Sequence, residues 1–178
     1  MRAPLSAVLA AAAQFVTENP EGGRRGQALV AAAVDTVFRG VRTYRINDPS
    51  RKHPGDVHVV NGSTTHAYEV RQKVTTENQI LAFAARLPAH SIYRGAAVLL
   101  APTQPRLDDE ELRSRALNEH GVQLEIFYGV DRFLGAAFSW SPTSLEQTVK
   151  TFVGRMATRL QEIGVKPESV ERWNSLFE

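Results

Sequence analysis

Two carboxylates and two cations fall close together in Pro54-Gly55-Asp56 and Glu69-Val70-Arg71-Gln72-Lys73. Hydrolysis of a phosphodiester calls for carboxylates that share Mg²⁺, so that charge on the phosphate is neutralised and a water becomes a nucleophile, with a cation nearby to assist. Asp56 and Glu69 supply the carboxylates, and Arg71 and Lys73 the cations. If residues 69–73 are extended, Glu69, Arg71 and Lys73 project to one face, because alternate residues of a strand share a side. A helix would scatter them.

The flanking residues supply that geometry. Residues 56–60 and 66–73 are β-rich runs joined by Asn61-Gly62-Ser63-Thr64-Thr65, and Asn-Gly is the strongest short-range signal for a hairpin. A loop centred near Ser63 brings the start of the first strand opposite the end of the second, which sets Asp56 beside Glu69 and Arg71. Ahead of the hairpin, 5–18 reads as a helix closed by Asn19-Pro20-Glu21-Gly22-Gly23, and 24–39 as a second helix with Leu29, Val30, Ala33, Val34, Val37 and Phe38 on one face. Residues 41–46 alternate as a strand. Beyond the hairpin, 77–87 is helical, 95–100 is a continuous apolar run typical of a central strand, 108–119 is helical, and 122–128 alternates again. Helices over about 143–163 and 168–176 close the chain. The order α-α-β-β-β-α-β-α-β-α-α predicts an α/β fold, one mixed sheet flanked by helices.

The placement of Pro54-Gly55-Asp56-Val57 and Glu69-Val70-Arg71 on a hairpin between those elements resembles the PD-(D/E)xK nuclease superfamily. Together with Ile46-Asn47-Asp48-Pro49-Ser50, they are most similar to the SacI-type restriction endonucleases. The resemblance runs from about Arg24 to the C-terminal helices. It implies a restriction-endonuclease-like αβββαβ core flanked by helices, in one domain over 1–178 with an N-terminal helix (about 5–18) and C-terminal helices (about 143–177). It further implies Mg²⁺-dependent cleavage of double-stranded DNA in restriction or phage defence, with Asp56 and Glu69 as metal ligands and the Val70 carbonyl as another. The sequence departs from the motif at Arg71, where a lysine is usual. Arginine stays protonated and cannot accept a proton, although it can hold a water or a phosphate oxygen, and Lys73 offers an ammonium instead. Gln27 stands where many members carry a further acid. A decayed DNA-binding module and a repair or junction-resolving nuclease are the competing readings.

Charge and composition narrow the classes. Among 178 residues, 21 Lys and Arg face 19 Asp and Glu, so the bulk charge announces no polyanion partner. Distribution says more: Arg39, Arg42, Arg45, Arg51 and Lys52 stand against the lone acid Asp48. Arg42, Arg45, Asn47, Ser50, Arg51, Lys52 and His53 are the expected nucleic-acid contacts, against the alternative of a solvated basic face. Cutting both strands favours a homodimer, one active site per strand. The absence of cysteine rules out disulfides and thiolate zinc sites and fits the cytoplasm. No histidine pair has the spacing of a helical zinc site, but His58 shares strand parity with Asp56 and is a candidate to stand near the metal or a phosphate. Trp140 and Trp173 read as helix-packing residues. Leu5 to Ala13 resembles the apolar part of a leader, but no A-x-A pattern closes it, and no run reaches the length of a membrane span.

Overall fold

The computed structural model describes residues 4–46, 48 and 53–177. Within them the chain runs α1 (Leu5–Glu18), α2 (Arg24–Val34), β1 (Val41–Thr43), β2 (Val57–Asn61), β3 (Ser63–Arg71), α3 (Glu77–Arg86), β4 (Arg94–Leu99), α4 (Asp109–His120), β5 (Gln123–Tyr128), α5 (Gly129–Trp140), α6 (Leu145–Ile163) and α7 (Pro167–Ser175). The five strands lie in chain order, β1-β2-β3-β4-β5. β1, β2 and β3 are antiparallel neighbours, whereas β3, β4 and β5 are parallel. The sheet is therefore mixed, as expected, and β3 is the strand where it changes character.

β4 shows why the sheet is covered on both faces. Ala96 and Val98 join the cluster under α1, α2, α5, α6 and α7, while Ala97 and Leu99 join the cluster under α3 and α4. A strand buried this way must be apolar throughout. α2 packs hardest: residues 25–34 are all buried, and a Cβ added at Gly26 would come within 2.8 Å of Leu100 Cδ1. Helix ends are set by local chemistry. Thr76 and Gln79 form a reciprocal capping box on α3, Asp108 caps α4, and Gly121 and Gly164 end α4 and α6 in the left-handed region. At the far side, Arg159 of α6 makes two 2.7 Å bonds to Asp35, one of 2.6 Å to Glu162 and one of 3.0 Å to the Val41 carbonyl, tying α6 to the end of α2 and to β1.

Four expectations need correction. α5 was not anticipated: Gly129 and Gly135 interrupt its composition, yet Val130, Phe133, Leu134, Ala137 and Phe138 carry the helical spacing that betrays it. The second helix stops at Val34, with turns rather than helix reaching toward Arg39. β1 is three residues long and ends before Tyr44. β3 ends at Arg71, so Gln72 and Lys73 lie on a bend past the strand. No described helix is long and apolar enough to cross a membrane.

Candidate active site

The hairpin register decides what meets. Val57 pairs with Tyr68 and His58 with Ala67, so the next antiparallel position sets Asp56 against Glu69. Gly62 turns the hairpin at φ +74°, with Asn61 paired to Ser63 and a bulge between Val59 and Val60. Asp56 is then fixed from three sides. Its amide donates to the Tyr68 carbonyl at 2.7 Å, its Oδ2 accepts from the Val70 amide at 2.8 Å, and its carbonyl accepts from Thr43 Oγ1 at 3.0 Å. Backbone N–H and C=O groups of one strand residue point to the same edge. The Val70 carbonyl therefore faces the Asp56 edge too, while Arg71 turns to β4 and accepts from the Leu100 amide at 2.7 Å.

The turn that delivers Asp56 is built by its neighbours. Gly55 has φ +98°, and a Cβ there would stand 3.2 Å from both Ala67 Cβ and the Tyr68 carbonyl oxygen, so glycine is required twice over. His58 is 1% exposed and its Nε2 lies 2.8 Å from the Pro54 carbonyl, which makes Nε2 the protonated nitrogen. This burial removes it from reach of a phosphate; it holds the Pro54-Gly55 turn instead. Gln27, buried on α2, donates through Nε2 to Tyr44 O at 2.6 Å and Thr43 Oγ1 at 2.7 Å, with Asp56 O at 3.4 Å. Gln27 thus locks the end of β1 to the turn that carries Asp56. Single-residue spacing gave no signal for these supporting roles, because the bonds cross three elements.

Glu69 is 7% exposed and shares its face with Ala67 and Arg71. A buried carboxylate needs partners, and Arg71 stands 2.6 Å from Oε1. Lys73 is exposed on the bend, where its carbonyl accepts from Thr75 Oγ1 at 3.0 Å, and strand parity no longer places it with Glu69. The donor set of two carboxylates and one carbonyl is all hard oxygen. Among the described residues no group of three or more His, Cys, Asp or Glu side chains could hold a metal. This sparse set fits Mg²⁺, which keeps several waters and takes one or two carboxylates.

The expected nucleic-acid contacts divide. Arg42 lies opposite His58 on β1, hence on the Asp56 face, and is exposed. Arg45 is exposed, but its guanidinium lies against the end of α6: a Cβ on Gly164 would meet Arg45 Nε at 3.4 Å. His53 is half-buried, with Nδ1 3.3 Å from His90 Nδ1 and its ring edge-on to His58. Asn47, Ser50, Arg51 and Lys52 lie outside the described residues. Trp173 is fully buried, as expected of a packing residue, whereas Trp140 is 53% exposed.

The chain is 30% identical over 174 residues to the type II restriction enzyme SacI of Streptomyces achromogenes. The similarity covers 97% of this chain and 49% of that enzyme, so the chain spans about half the length of the curated relative it matches. No protein-family model matches the chain.

Proposed function

We propose that this chain is a restriction-type endonuclease of the PD-(D/E)xK class, hydrolysing phosphodiester bonds of double-stranded DNA with Mg²⁺. The observation that carries the reading is the bond from the Val70 amide to Asp56 Oδ2, which brings one carboxylate and one carbonyl together opposite Glu69. The succession α2-β1-β2-β3-α3-β4 supports it, as does the similarity to a type II restriction enzyme. Bound Mg²⁺ supplies charge neutralisation at the scissile phosphate and a more acidic water. Asp56 and Glu69 hold it, the Val70 carbonyl adds a neutral donor, and the buried setting of Glu69 keeps its carboxylate oriented. Arg71 orients a water or a phosphate oxygen as a fixed cation; Lys73, on its exposed bend, approaches the same phosphate from beyond the strand. DNA is gripped through Arg42 and the neighbouring basic residues, and a homodimer presents one site to each strand.

A second reading has its own observation. The Arg71–Glu69 ion pair at 2.6 Å occupies one oxygen that a metal would take, as in a site retired from catalysis that still binds DNA. Incubating the protein with plasmid and phage DNA, with and without Mg²⁺, separates the two. Discrete Mg²⁺-dependent fragments support the enzyme; DNA binding without cleavage in Mg²⁺ or Mn²⁺ supports the relic.

A further inference from the structure

The carboxylates lie at the carboxyl end of β3, and a different site opens at its other half. There a cavity of about 300 Å³ is walled by Phe38, Tyr68, Phe127 and Trp140. Its size is at the lower end of small-ligand pockets, roughly 300–1,000 Å³, enough for one planar ring system. Three features mark it as more than a packing defect.

Trp140 is a large aromatic left 53% exposed at its wall, with its ring edge-on to Phe127 at 6.0 Å. Tyr68 lines the cavity and is 6% exposed, and its hydroxyl makes no hydrogen bond among the described residues, which leaves that donor available to a ligand. Burial alone pushes its pKa up to about 12, so it remains a donor. Finally, Arg94 at this cavity and Arg39 in the adjoining cleft are exposed and form no ion pair among the described residues. Glu125, the acid of the cavity wall, is already paired with Arg113 at 3.2 Å.

The adjoining cleft, about 780 Å³, shares Phe38, His66 and Arg94 with the cavity and runs along the hydroxyl-bearing hairpin residues Ser63, Thr64 and Thr65. His66 Nε2 lies 3.5 Å from Arg94, which can only donate, so His66 accepts there and its Nδ1–H serves Thr65 Oγ1 at 2.9 Å. Burial and the Arg94 charge hold the His66 pKa down, leaving the two guanidiniums of Arg39 and Arg94 as the groove's cations.

We propose that this groove binds one unpaired nucleotide of a DNA strand, its base in the aromatic cavity with Tyr68 donating to the base edge, and its phosphates on Arg39 and Arg94. Aromatic walls beside unpaired guanidiniums are what single-strand binding uses, since bases stack on rings and phosphates take arginine. The nature of the strand rests on the nuclease reading; the pocket itself does not.

The position of Trp140 supplies the test, because the only other tryptophan, Trp173, is fully buried. Fluorescence of the full chain in EDTA is titrated with deoxyadenosine monophosphate and with a short single-stranded deoxyadenylate oligomer. Saturable quenching by both is expected. Tyr68→Phe should weaken binding roughly five- to tenfold, as one lost hydrogen bond does. Arg39→Ala and Arg94→Ala should each lower the salt slope for the single-stranded oligomer by about 0.7. Asp56→Ala should leave all of this unchanged. Absence of saturable quenching by either ligand overturns the proposal, as does quenching that tracks protein concentration with self-association in sedimentation, which would make this face an interface between copies. Duplex cleavage is scored separately: cutting without quenching sinks the pocket and spares the nuclease, and quenching without cutting does the reverse.

Discussion

At the scale of residues, Asp56 is held by its backbone and by its side chain, while Glu69 is held by burial and by Arg71. Asp56→Ala and Glu69→Ala are expected to abolish cleavage while leaving the chain folded, since the β2–β3 ladder survives; Asp56→Ala also loses the Val70 bond, a cost of about 1 kcal/mol. Plasmid nicking and circular dichroism check both halves, and full activity in either variant would remove that carboxylate from the site. Arg71→Lys should be tolerated or raise the rate, because a compact ammonium suits water positioning, whereas Lys73→Ala should lose most activity yet keep DNA binding in Ca²⁺. Gln27 allows a sharper contrast. Gln27→Glu adds an acid near the site but removes donors to Tyr44 O and Thr43 Oγ1, so it should cost about 1–3 kcal/mol in urea unfolding and lower activity.

At the scale of elements, the hairpin does the positioning, and its legibility in the sequence was uneven for physical reasons. Asn61-Gly62 and the alternating runs announced the hairpin, but the turn closes on Gly62 rather than near Ser63, and the bulge between Val59 and Val60, which no local pattern signals, shifts the register by one and sets Asp56 against Glu69. Parity failed at Lys73 because β3 stops at Arg71, after which Thr75 is drawn to Gln104 through bonds of 2.7 and 3.0 Å that no local pattern announces. α5 was hidden by its two glycines, and the tasks of Gln27 and His58 depend on elements that only meet in the fold. Gly55→Ala tests the turn: the added Cβ presses on Ala67 and Tyr68, so cleavage should fall more than stability, measured by nicking against urea midpoint. In the basic stretch, Arg42→Ala should flatten the salt dependence of DNA binding by about one unit, and Arg45→Ala by less, given its place against the end of α6. Equal slopes for wild type and Arg42→Ala would make that face merely solvated.

Across the whole molecule, the mixed sheet divides the work. Its antiparallel side, β1 to β3, carries the carboxylates, and α2 packs against all three of these strands. The Arg159 network joins α2, β1 and α6, and its Arg159–Asp35 pair is largely buried, so Arg159→Ala should cost about 3–5 kcal/mol in denaturant unfolding by stranding Asp35. The central claim is that Asp56 and Glu69 form a Mg²⁺-dependent site that cuts duplex DNA. It is met most directly by digesting phage DNA with the wild-type chain and Asp56→Ala side by side, with Mg²⁺ and with EDTA. Discrete fragments from wild type in Mg²⁺ alone are the expected result; intact DNA in every lane, Mn²⁺ included, while the wild type still binds the duplex, would contradict it.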